Sequence, residues 1–147
     1  MPLGLSFYIF QSVGYVLDCS KKKQVPEKNI LKYALFVSFF PQMVQGPVSR
    51  YGQLAPQLLA ERSYHPRNVK LGIQLAMWGY MKKLIIADRA AVAVNTVFSD
   101  PDAYSGSVAA LAVLLYSVQI YCDFSGGIDI IRGVAKMLGV ELAENFT

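Results

Sequence analysis

Charge is what this sequence has least of. Only 16% of its 147 residues are Asp, Glu, Lys or Arg, against about 25% in soluble domains. Histidine occurs once, as His65, and cysteine twice, as Cys19 and Cys122. A single histidine with no cysteine pair excludes the usual zinc ligand sets. Two cysteines are too few for a disulfide scaffold, and Cys122, inside an apolar stretch, is disfavoured as a thiolate. No Gly-Lys-Ser or Gly-Lys-Thr accompanies Gly126, Gly127 and Gly133, which excludes a phosphate loop. Internal repeats and low-complexity tracts are also missing. What is present is apolar: 54% of the residues, with a mean hydropathy of +0.34. That composition excludes a disordered chain, a collagen and a coiled coil, and it argues against an ordinary water-soluble globule. The length is that of one domain.

The net charge of +4 raises the question of nucleic acid, but its distribution answers otherwise. The cations fall in short clusters between apolar runs: Lys21, Lys22, Lys23, Lys28 and Lys32, then Arg50, Arg62, Arg67 and Lys70. Loops that flank membrane segments look like this, and no nucleic-acid-binding motif occurs. We expect no nucleic-acid partner; the expected partner is a lipid bilayer.

Charge-free runs cover residues 1–17, 33–49 and 103–122. A crossing helix needs about 20 mostly apolar residues, with about 17 as the lower limit. The third run is the best span, with its core at residues 108–122. A fourth apolar region, residues 69–98, follows an expected loop, SYHPRN. As one helix it would measure about 45 Å at 1.5 Å per residue. Lys82, Lys83, Asp88 and Arg89 interrupt it. They either mark one end of a span, with Trp78 and Tyr80 at the interface, or form a polar cluster inside a helix bundle. Lys82 and Arg89 are seven apart and would share a helix face; buried together they would need a counter-charge, for which Asp88 or Asp123 is available.

Residues 33–49 contain Pro41, Gly46 and Pro47. The prolines remove backbone donors, and the flanking loops are about equally basic, which opposes a simple crossing. The stretch FFPQMVQGPVSR therefore reads as a broken or re-entrant element, which at membrane depth must be shielded by protein or a wet cavity. Gln42, Gln45 and Arg50 within it would either bind substrate where the helix unwinds or satisfy freed backbone groups. In YCDFSGG, Asp123 directly follows the best span. An ionisable residue at that depth is a functional candidate, although it would equally serve to cap the next helix. Ser125, Gly126 and Gly127 are expected to let the backbone turn tightly there. Residues 128–138 carry Ile131, Val134, Ala135 and Leu138 at helical spacing, and Gly139 is a natural helix stop.

Four blocks carry a resemblance: PLGLSFYIFQSVGYVLD (residues 2–18), FFPQMVQGPVSR (39–50), KKLIIADR (82–89) and YCDFSGGIDIIRGVAKMLGVELAENF (121–146). In this order and spacing they resemble the bacterial membrane-bound O-acyltransferase (MBOAT) family, in its alginate O-acetyltransferase-like branch, with the teichoic acid D-alanyl transfer type as a cousin. The resemblance implies an all-α, polytopic membrane helix bundle, with residues 1–147 an internal portion of one larger ring-shaped membrane domain, truncated at both ends. It implies multi-pass residence in the bacterial cytoplasmic membrane. It further implies transfer of an acetyl or similar acyl group to hydroxyls of an exported cell-envelope polysaccharide. The donor, acetyl-CoA or a protein-carried acyl group, would be a substrate, with no bound cofactor. The implied partners are the remainder of the MBOAT chain, the polysaccharide acceptor and a periplasmic or extracellular acyl-transfer protein.

The family's catalytic histidine follows the ENF block. This sequence ends before it, and His65 does not match its position, so no catalytic residue is assigned and the stretch is expected to be inactive alone. Acylating a hydroxyl requires removing its proton as the C–O bond forms, a task suited to histidine. Asp88, Asp123, Asp129 and the cysteines are the remaining candidates, and none has a paired base at a recognisable spacing. The candidates for lining the substrate funnel are Gln42, Arg50, Lys82, Asp88, Asp123 and Ser125; no metal site is expected. A transporter or channel, to which broken helices and membrane-depth charges also point, is the alternative, and a short product acting only as an interaction partner is a third reading.

Overall fold

A computed structural model describes residues 5–47, 49–61, 65–100 and 103–144. Among the described residues the secondary structure is helical, without strands. The elements are α1 (Leu5–Ser20), α2 (Ile30–Val37), α3 (Phe40–Gln45), α4 (Tyr51–Leu59), α5 (Pro66–Met81), a π-helical segment (Lys82–Ala87), α6 (Asp88–Ser99) and α7 (Gly106–Met137). The all-α expectation holds.

Two long helical columns dominate. The backbone stays helical through Met81 and Ala87, so α5, the π segment and α6 form one column. It lies antiparallel against α7, Gly72 meeting Gly133 and Gly79 meeting Gly126. The column starts earlier than SYHPRN suggested. Pro66 is its first residue, where the missing N–H is no loss, with His65 extended just before it. Residues 63 and 64 of that expected loop lie outside the described ones.

At 32 residues, α7 would measure about 48 Å, well beyond a hydrocarbon core of about 30 Å. It is long and apolar enough to cross a membrane. Its two halves differ. Leu111, Val113, Leu114, Val118 and Ile120 are exposed, whereas Ser125, Gly126, Gly127, Ile128, Asp129, Gly133 and Ala135 are buried. The first half contains the expected span and presents an apolar surface suited to lipid.

The tight turn expected at Ser125, Gly126 and Gly127 does not occur; α7 runs straight through them. The reason lies in the neighbouring helix. A Cβ on Gly126 would sit 2.8 Å from the Gly79 carbonyl oxygen, and one on Gly79 would sit 2.5 Å from that of Gly126. These glycines let two backbones touch, as small residues do between membrane helices. Gly139 does end the helix. With φ +76° it donates to the Lys136 carbonyl at 3.0 Å, while Val140 donates to that of Ala135 at 2.9 Å, the paired bonds of a Schellman cap. Ala135 and Val140 are both fully buried beside it.

The stretch around Pro41 and Pro47 is broken, as expected. The helix stops at Val37, a short α3 contains Pro41 in its first turn, and α4 starts at Tyr51. Phe36, Phe39, Tyr51, Leu54 and Ala55 from these pieces join Ala135, Val140 and Leu142 in one apolar core. The short helices thereby seat on the C-terminal end of α7. Gln57 reinforces the seat, its amide pairing with both the N–H (2.8 Å) and the carbonyl (3.1 Å) of Glu141.

Glu27, between α1 and α2, fastens the same region. Its carboxylate accepts from the Asn29 N–H at 3.0 Å and the Tyr51 hydroxyl at 2.9 Å. These bonds, the backbone one foremost, hold its pKa below the ordinary 4.5. A carboxyl depressed in the folded state adds stability above its unfolded pKa and loses it as pH falls through the folded one. The thermal midpoint should therefore decline as pH drops below about 4.5, and less steeply in Glu27→Gln. Circular dichroism melts across pH 3–7 (a window about the carboxylate range) test this; an equal decline in Glu27→Gln would assign the acid sensitivity elsewhere.

A charged seam at a π turn

Charged side chains gather where the π segment crosses α7. Lys82 Nζ lies 2.7 Å from Asp129 Oδ2 and donates to Ser125 Oγ at 3.3 Å. Lys83 pairs with Asp123. Arg132 Nη1 reaches the other oxygen of Asp129 at 3.5 Å and also pairs with Glu144. Lys136 and Glu141, at 3.7 Å, continue the seam. On the α5 side of the π turn, Arg132, Lys136, Glu141 and Glu144 line a cavity of about 190 Å³ with Leu75, Val140 and Leu142.

The π turn accounts for this register. Gly72, Ala76 and Gly79 face α7 from α5, and Ala87, Ala90 and Val94 are buried beyond the turn. Eight residues separate Gly79 from Ala87, which in a regular α-helix would leave Ala87 about 80° off the seam. A π turn accommodates one extra residue and returns Ala87 to it. Gly126 sits against Lys82 Cβ and the Lys83 N–H, so the two lysines straddle it and reach carboxylates on either side.

Exposure grades the pairs. Side-chain exposure is 21% for Lys82 and 13% for Asp129, against 37% and 45% for Lys83 and Asp123. Removing one partner of a buried pair leaves an uncompensated charge, a cost of about 3–5 kcal/mol at full burial; the outer pair is worth far less. The Lys82 ammonium also lies 6.0 Å from the Trp78 ring centroid, at the outer limit of a cation–π contact. The seam therefore offers fixed, nearly balanced charge inside an apolar helix pair, with Lys83 and Asp123 at its accessible edge. It can hydrogen-bond a hydroxyl. Ser125 accepts from a lysine, and the described residues of the seam give it no base.

Three of the funnel candidates, Lys82, Asp123 and Ser125, come together here. Asp88 does not: it and Arg89 are exposed. The face expected to be shared by Lys82 and Arg89 is lost because the π turn lies between them. The counter-charge of Lys82 is Asp129, weighed above only as a base. Gln42 and Arg50 stand apart in the broken element. Gln42 is 3% exposed. It accepts from Gln11 Nε2 at 3.0 Å and donates to the Pro47 carbonyl at 2.9 Å and to Ser49 Oγ. Gln11 in turn donates at 3.2 Å to the carbonyl of Phe36, one of the last in α2 and without a helical partner. These amides satisfy backbone groups that the break frees. The side chain of Gln45 lies outside the described residues.

Sequence comparison relates the chain to known proteins. No family model matches the chain. A probable alginate O-acetylase AlgI of Pseudomonas fluorescens is 36% identical over 146 residues, covering 99% of this chain and 29% of that protein. A peptidoglycan O-acetyltransferase of Helicobacter pylori is 30% identical, covering 99% of this chain and 33% of its own length. A teichoic acid D-alanyltransferase of Bacillus subtilis is 26% identical, covering 98% and 37% respectively. The chain thus spans about a third of the length of these curated relatives. Similarity along nearly the whole chain, over a helical fold with an apolar helix fit to cross a membrane, puts this stretch with the bacterial membrane-bound O-acyltransferases, in their alginate O-acetylase-like branch.

Proposed function

We propose that the chain is an internal portion of a multi-pass membrane O-acyltransferase that moves an acetyl or similar acyl group onto hydroxyls of an exported cell-envelope polysaccharide. The observation that carries this is the alignment along 99% of the chain to proteins named for O-acetylating alginate and peptidoglycan. Acetyl-CoA or a protein-carried acyl group would be the donor. The bilayer, the rest of the acyltransferase and an acyl-transfer protein outside the membrane would be its partners. The relatives found bear acyl-transfer names, which does not favour the transporter alternative.

On this reading the seam at the π turn forms part of the wall of the substrate path. Lys82 and Asp129 hold each other in place; Ser125, one helical turn before Asp129, and Asp123, six residues before it, present oxygens to the acceptor. None of these groups is assigned the proton transfer itself. That step needs a base near neutral pKa, and the only histidine, His65, lies at the start of α5, 17 residues before Lys82.

The test compares residues 1–147 with the gene product that contains them, each expressed in a bacterium whose own envelope O-acetyltransferase gene is deleted. Glycan O-acetyl content, released by mild base and quantified, should return with the latter and stay at background with the former. Acylation by residues 1–147 alone would overturn the need for further sequence; no acylation by either would overturn the assignment.

A further inference from the structure

We propose that the hollow between α1 and the start of α4 is a binding site for a phosphate-bearing anion. Its volume is about 280 Å³, room for about nine waters at ~30 Å³ each. Three cations line it, Lys21, Lys23 and Arg50, against one acid, Asp18. That imbalance sets it apart from the cavity beside Arg132, where two cations face two glutamates that pair with them. Arg50 is held only loosely: Nη1 is 3.8 Å from Asp18 Oδ1, and its side chain is 63% exposed. Among the described residues neither Lys21 nor Lys23 has an ion pair. Gln11, Tyr15, Ser49 and Tyr51 complete the polar lining; the Gln11 amide and the Tyr51 hydroxyl are already bonded to Phe36, Gln42 and Glu27, so the cations carry the binding.

The backbone favours the same sign of ligand. The turn after α1 places Lys22 at φ +54° and ties its neighbours down, the Lys21 and Lys23 N–H groups bonding to the carbonyls of Leu17 and Asp18 at 3.0 and 2.9 Å. The negative end of α1 is thereby capped. The start of α4, beside Arg50 and Tyr51, has no side-chain cap, and its N–H groups add positive potential. With Asp18 set against one cation, two positive charges remain in excess, and a singly charged carboxylate would leave one of them uncompensated. A phosphate has more oxygens to share among them, and the arginine fork suits it. The site also lies where the exposed apolar flank of α1, with Phe10, Val13, Val16 and Leu17, gives way to lysines. Lipid phosphates sit at that level, and a phosphorylated solute reaches it from water.

The experiment uses the whole gene product purified in non-ionic detergent, then placed in nanodiscs of phosphatidylcholine alone or with phosphatidylglycerol. Thermal unfolding is followed as inorganic phosphate is added. A saturable rise in midpoint is expected with one probe or the other. Arg50→Gln or Lys23→Gln should weaken it roughly tenfold each, while Lys70→Gln, on an exposed turn of α5, should leave it unchanged. Protection by phosphatidylglycerol to which phosphate adds nothing identifies a lipid headgroup; protection by phosphate in phosphatidylcholine discs identifies a soluble anion. The proposal is overturned if neither probe gives a saturable shift, or if the shift persists undiminished in a Lys21→Gln, Lys23→Gln, Arg50→Gln triple variant. Should that variant not fold, the single Arg50→Gln decides by the same reading. None of these readouts requires acyl transfer, so the site stands or falls separately from the proposed activity.

Discussion

Gly126→Val should abolish recoverable folded protein or lower its stability by at least about 3 kcal/mol, the upper end of ordinary overpacking. The magnitude follows from what the new atoms meet. A Cβ at position 126 already lies 2.8 Å from the Gly79 carbonyl oxygen, before the γ-carbons of valine are counted. The obstacle is backbone, which cannot swing aside as a side chain end would. Gly79→Val should be as severe, with the Gly126 oxygen at 2.5 Å and the Ile130 nitrogen at 2.8 Å. A Cβ on Gly133 would likewise lie 2.6 Å from the Gly72 oxygen and 2.7 Å from the Ala76 nitrogen, so the helices meet as closely at a second point seven residues on. Gly106→Ala is the control: nothing lies within 4 Å of its added Cβ, and the better helix former should leave stability unchanged or slightly raised. Yield after detergent extraction and the thermal midpoint are the measurements. A normal midpoint for Gly126→Val would mean that α5 and α7 do not approach as closely as described.

That helix contact also explains which features could be read from the sequence. The apolar span in α7, the break at Pro41 and Pro47 and the stop at Gly139 are set by the local chain: an uncharged run, missing donors, one residue free to take positive φ. The continuation of α7 through Ser125, Gly126 and Gly127 is not local. Glycine neighbours signal a turn unless a second helix covers them, and the cover comes from α5, which is 47 residues away at Gly79. The matching spacing of Gly72 with Gly79 and of Gly126 with Gly133 was the available signal. The π turn was hidden for a similar reason. KKLIIA looks like any helical hexamer, and its extra residue is called for only by the register of small residues on both sides. Lys82, Asp123 and Ser125 were legible as polar groups in apolar surroundings. The pairing of Lys82 with Asp129, and the exclusion of Asp88 and Arg89, depend on that turn and so were not.

Asp129→Asn should lower stability by about 2–3 kcal/mol, somewhat less than the 3–5 expected of a fully buried pair because the seam is partly wet. Lys82 would keep only the Ser125 hydroxyl among its described polar contacts, whereas Arg132 would keep Glu144. Lys82→Met should cost less, because Asp129 retains Arg132 at 3.5 Å. This inequality is specific to a carboxylate shared by two cations; a simple pair would give equal losses. Combining Lys82→Met with Asp129→Leu should recover most of the midpoint, since well-packed apolar replacements of a buried ion pair are often neutral. Glycan acylation by the same double variant separates packing from chemistry. If the seam lines the substrate path, the protein regains its midpoint but transfers acyl groups at least about tenfold more slowly, the equivalent of about 1.4 kcal/mol of lost transition-state stabilisation. Recovery of both midpoint and transfer would show that Lys82 and Asp129 act only as a fastening between the helical columns, and the substrate path would then have to run elsewhere in the bundle.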